Sequence, residues 1–104
     1  LTAAHKIPIN EIGKSFIVTT GRNLLECGFP QWVKTVAVML DGKCSFQSLR
    51  EPKLYIYWGA YLGMENEIIL EGWVEDVSKK IMEIRADARN QNGWIMDSYI
   101  LQKR

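Results

Sequence analysis

Charge of one sign is what this sequence most plainly lacks: 13 Lys and Arg stand against 12 Asp and Glu, a formal net charge of +1. A chain so balanced does not advertise a polyanionic partner, so neither nucleic acid nor an anionic membrane surface is expected. Long apolar runs are missing too, and no uncharged stretch approaches the roughly 20 residues a membrane span requires. The first residues do not have the charged-then-apolar layout of a secretory signal. The sequence opens on Leu1 rather than Met, and the expectation is a cytoplasmic domain, trimmed or cut from a longer protein.

Cysteine and histidine are scarce as well. Cys27 and Cys44 have no neighbours at metal-ligand spacing, and His5 does not complete a zinc site with them, so no metal and no cofactor are expected. Two reduced thiols and a Cys27 to Cys44 disulfide both remain open. What is present is apolar content, 47% of 104 residues, enough for one core and too little chain for two. A single domain over residues 1–104 is the expectation.

Pro8 marks an irregular or edge segment near the start, and the β-branched run Lys14 to Thr20 suits a strand. From Phe29 to Leu40 the sequence predicts a helix. Pro30 fits the first helical position, Gly42 the cap beyond the far end, and Val33, Val36, Ala37 and Leu40 share one stripe. Trp32 and Met39 widen that stripe, which predicts a largely buried helix over about 29–41 that needs a sheet around it. The run from Lys43 to Pro52 is mixed. Leu54 to Ala60 reads as an aromatic-rich strand, and 63–66 as a turn before a long strand over 67–77 in which Gly72 marks a bulge or bend. Met82, Ile84, Ala86 and Ala88 alternate with Glu83, Arg85, Asp87 and Arg89, the period of a half-buried strand. Asn92-Gly93 then supplies a hairpin turn into a last strand over 94–101, closing an antiparallel meander.

Strand, buried helix, strand and three antiparallel strands make an α+β order. The helix Phe29 to Gly42 and the run Tyr55 to Val74, with Met64-Glu65-Asn66 in its turn and a Gly turn before the last strand, resemble the hotdog-fold superfamily. In that family a curved antiparallel sheet wraps one central helix. The resemblance implies an acyl-thioester binding domain, thioesterase-like if catalytic, whose partner is acyl-CoA or an acyl carrier protein. It also implies a homodimer, or a dimer of dimers, joined sheet edge to sheet edge.

A helix N-terminus offers free N–H groups and a positive dipole end to a thioester carbonyl; in this chain those donors would lie around Gly28 to Trp32. Glu26 is the candidate catalytic acid, and Gly28 the place of close approach. Phe29, Gln31, Trp32 and Tyr57 complete the candidate substrate site. The family's usual His-Gly pair at the helix start is absent, since Glu26-Cys27-Gly28 stands there. Glu26 as a solvated residue, Gln31 as an exposed first-turn residue and Cys27 as a small packed one remain open beside the catalytic readings. Asp41 most simply belongs to the turn with Gly42. Tyr55 and Tyr57 fall on the opposite strand face from Ile56 and Trp58, where packing explains aromatics as well as a pocket does.

Two other classes stay in view. A hotdog domain without its acid serves as a ligand-sensing or dimerisation domain of a larger regulatory protein. An OB-type barrel binding single strands is hinted at by Lys53 to Trp58, but the acidic run Glu65, Glu67, Glu71, Glu75 and Asp76 argues against it.

Overall fold

The computed structural model describes residues 16–30, 33–39, 41–42, 44–49 and 53–104. Strand β1 is Phe16–Thr20, followed at once by the short helix α1, Gly21–Cys27. Thr20 caps α1, its hydroxyl accepting the Asn23 N–H at 3.3 Å, and Gly28 ends it at φ 73°, a conformation glycine enters at no steric cost. Strand β2 is Thr35–Met39, and a 3-10 turn occupies Ser45–Ser48. Strands β3, Leu54–Ala60, and β4, Ile68–Trp73, form a hairpin. Helix α2, Val74–Asn92, then crosses back, and β5, Asp97–Lys103, ends the chain's regular structure.

The sheet runs in the order β1-β2-β5-β3-β4. Strands β1 and β2 are parallel, and β5 lies antiparallel to both of its neighbours, β2 and β3. The sheet is therefore mixed. One of its faces carries Val36, Val38, Ile56, Trp58, Tyr99 and Leu101, which pack with Leu24, Phe46, Ile81 and Ala88 into one core beneath α1, the 3-10 turn and α2.

Two expected elements are replaced. The predicted helix over 29–41 contains β2 instead, a strand one place in from the sheet edge with Val36 and Val38 fully buried. Thr35-Val-Ala-Val-Met39 is short and β-branched. Its apolar spacing fits either period, and χ1 stiffness with partners on both sides favours the strand. The predicted strand over 80–89 is the interior of α2. Val74, Val77, Ile81, Ile84 and Ala88, at steps of three and four, face the core, while Met82, Glu83, Ala86 and Asp87 turn outward. Gly93, expected in a hairpin turn, caps α2 in the left-handed region at φ 77°, donating its N–H to Arg89 O at 2.8 Å.

These replacements overturn the hotdog architecture. Among the described residues no helix is wrapped by the sheet; α1 and α2 lie on one face of it, and a parallel strand pair stands where an all-antiparallel sheet was expected. The long strand expected over 67–77 stops at Trp73, where Gly72 lets α2 close on β4: a Cβ there would fall 2.6 Å from Val77 Cγ1. Among the described residues no helix is long and apolar enough to cross a membrane.

Candidate functional site

Strands β1, β2 and β3 run in one direction and β5 in the other, so Thr20, Met39 and Ala60 end at the same edge as Asp97 begins. Segments leaving the carboxyl ends of strands in such sheets are where ligands are usually met. At this end the chain turns at Gly21, at 41–42 and 44–45, and at Tyr61, whose backbone takes the left-handed value φ 52° and whose N–H is held by Met96 O at 2.9 Å.

A buried carboxylate organises the centre. Asp41, 7% exposed, accepts the Ser45 N–H at 2.6 Å and the Tyr99 hydroxyl at 2.5 Å on Oδ2, with Ser45 Oγ 2.8 Å from Oδ1. Ser45 Oγ also lies 3.0 Å from Gly21 O, so its one proton serves either acceptor. Gly21 is needed here for space: an added Cβ would come 2.4 Å from the Asp41 side chain. Burial, and then the bond to Asp41, push the Tyr99 phenol far above its ordinary range, and it stands as a permanent donor. The ring of Tyr99 meets Phe46 edge-on at 5.2 Å.

A second polar set adjoins the first. Asp97 Oδ2 accepts from Trp58 Nε1 at 2.9 Å and from Arg85 Nε at 3.2 Å, with the Arg85 and Asp97 side chains 14% and 8% exposed. Between the two sets sits Cys44, buried and in the left-handed region at φ 50°. Burial raises its thiol pKa and the Arg85 guanidinium lowers it, with burial prevailing. The turn and α2 enclose a groove of about 460 Å³, with Gly42, Cys44 and Gln47 along one wall and Met82, Arg85, Ala86, Arg89 and Asn90 along the other. Among the described residues no group of His, Cys, Asp and Glu has the makings of a metal site.

The residues proposed from sequence lie elsewhere. Glu26 is on α1, exposed, 3.5 Å from Arg22 in a surface pair. Gly28 closes the C-terminus of α1, its N–H spent on Leu24 O at 2.8 Å, so it does not open a helix N-terminus toward a carbonyl. Phe29 is buried, with Lys103 Nζ 4.9 Å from its ring centre. Tyr57 is buried on the sheet face away from the helices, where its hydroxyl accepts from Arg104 and both side chains sit beside Tyr55. Gln31 and Trp32 fall outside the described residues. The thiols of Cys27 and Cys44 are free, one exposed and one buried.

No family model matches the chain. Over 103 residues the chain is 50% identical to a precorrin-6A synthase (deacetylating) from Sinorhizobium sp., a match that takes in 99% of this chain and 39% of that protein. It is also similar to a crystal structure described as a cobalamin synthesis related protein (CobF) from Corynebacterium diphtheriae. There the identity is 39% and the TM-score 0.91, over 98% of this chain and 42% of that one. A uroporphyrin-III-C-methyltransferase from Thermus thermophilus shares the fold at a TM-score of 0.60 and 19% identity. The chain thus spans about two-fifths of the length of the curated relative it matches. These likenesses overturn the acyl-thioester reading. Hydrolase, thioester-binding partner and sensing-domain alternative all followed from the hotdog resemblance, as did the edge-joined dimer, and the similar proteins carry cobalamin-synthesis names instead.

Proposed function

We propose that this chain forms one domain of an enzyme of cobalamin synthesis that, like the Sinorhizobium protein, makes precorrin-6A with loss of an acetyl group. The observation that carries the reading is 50% identity sustained over 103 residues. A fold match at a TM-score of 0.91 to the Corynebacterium protein supports it. Its place of work is the cytoplasm, and residues 1–104 are a single folding unit within the longer enzyme.

The geometry supports a binding role for the end of the sheet. Asp41 holds Ser45 and Tyr99, and Ser45 Oγ reaches Gly21 O, so Gly42 and Cys44 are presented to the groove from a braced turn. Preorganisation of this kind lowers the ordering cost of binding. Asp97 likewise fixes Arg85, restraining a long side chain before any ligand arrives.

The test is an exchange. The matching segment of the Sinorhizobium enzyme is replaced by this chain, and the chimera is expressed in a cobalamin-producing strain that lacks its own precorrin-6A synthase. Restored cobalamin production is the expected result. A chimera that accumulates to wild-type levels and restores none would contradict the reading.

A further inference from the structure

Helix α2 turns two guanidiniums, Arg85 and Arg89, into the groove one helical turn apart. Like charges at this spacing repel. Arg85 is partly answered by Asp97, which takes its Nε at 3.2 Å, while its two Nη groups make no further bond among the described residues. Arg89 is exposed, with no side-chain partner among the described residues. The acids nearest on the same helix, Glu83 and Asp87, do not line the groove, and Asp41 is engaged by Ser45 and Tyr99. Of the two guanidiniums in the lining, only Arg85 is bonded to an acidic side chain among the described residues.

The rest of its lining is mixed: Gln47 and Asn90 are polar, and Met82, Ala86 and Cys44 form an apolar strip. Met82 and Ala86 stand on the same flank of α2 as the arginines, and the buried Cys44 faces them from the opposite wall. Among the described residues the lining offers no lysine, serine or threonine. A guanidinium with no acidic partner among the described residues, beside an apolar strip, matches a monoanion with a hydrocarbon body. The planar guanidinium edge matches a carboxylate in geometry, as Arg85 already shows with Asp97.

We propose that this groove is a binding site for a carboxylate borne on an apolar stem. Arg89 and the Nη edge of Arg85 take the carboxylate, and the stem lies along Met82, Ala86 and Cys44. The assignment is made from the lining alone and depends on no relative's activity.

Hexanoate, acetate and inorganic phosphate serve as probes, each titrated into the isotope-labelled chain while the arginine Nε–H and methionine methyl signals are followed by NMR. Hexanoate is expected to shift Arg85, Arg89 and Met82 saturably and to bind at least tenfold more tightly than acetate, because its stem leaves water. Arg89→Gln, an exposed substitution that keeps the fold, should weaken hexanoate at least fivefold. Arg22→Gln, on α1 and outside the groove, should not change it. Equal affinity for acetate and hexanoate, phosphate binding as tight as hexanoate, or an unchanged affinity in Arg89→Gln would each overturn the proposal.

Discussion

At the scale of single residues, the polar centre is held by buried donors and acceptors that bond to one another. Tyr99→Phe removes one hydroxyl and leaves Asp41, buried, short of a donor; the expected loss is about 1–3 kcal/mol, read from urea unfolding at pH 7. The pH dependence has a definite sign. The folded phenol holds its proton to a higher pH than the unfolded one, so its contribution is fully present below the unfolded value near 10 and is lost as pH rises beyond it. The Cys44 thiol, also raised, acts in the same direction from about pH 9. Stability should fall between about pH 9 and 11 in the native chain and fall less steeply in Tyr99→Phe. A parallel fall in the two proteins would remove Tyr99 from the account. Asp97→Ala removes the acceptor shared by the Arg85 guanidinium and the Trp58 N–H, and should cost about 1–3 kcal/mol by the same measurement.

Little of this centre was legible in the sequence. Asp41 beside Gly42 reads as a turn, and Ser45 is near enough to be its local partner. Tyr99 lies 58 residues further on, and Trp58 lies 39 residues from Asp97. One sequence without relatives carries no signal for such pairings. Glu26 drew attention as an acid beside a glycine at a helix start. The helix it belongs to begins at Gly21, which places Glu26 near the opposite terminus.

At the scale of elements, strands rich in aromatic and β-branched residues were legible. Leu54–Ala60 forms β3 over the expected span, and Phe16–Thr20 forms β1 inside the expected one. Thr35–Met39 and Val74–Asn92 exchanged identities for a shared reason. Five residues of mixed apolar spacing cannot separate a period of 2 from one of 3.6, and in α2 the alternating charges over 82–89 obscured the stripe that runs through Val74, Val77, Ile81, Ile84 and Ala88. Paired substitutions in α2 discriminate. Ile81→Ala, at a fully buried site, should cost about 2–5 kcal/mol, whereas Met82→Ala, 38% exposed, should change stability by under about 0.5 kcal/mol. Equal losses would fit neither the helix nor its observed face.

At the scale of the whole molecule, fold and function were misread together. A buried helix inside an antiparallel sheet implied a thioester site, and once β2 replaced that helix the site had no scaffold. What replaced it is a mixed sheet with α1 and α2 on one face and its polar residues gathered at the carboxyl ends of β1, β2 and β3. That arrangement, together with 50% identity to a precorrin-6A synthase over 99% of this chain, makes the central claim a chemical one. The most direct measurement uses the purified chimera of the Sinorhizobium enzyme carrying this chain, given the parent enzyme's full set of substrates, with acetate and precorrin-6A quantified in the same samples. One acetate released for each precorrin-6A formed, at a rate within tenfold of the parent enzyme, is the predicted result. A chimera with the parent's circular dichroism spectrum that forms neither product would contradict it.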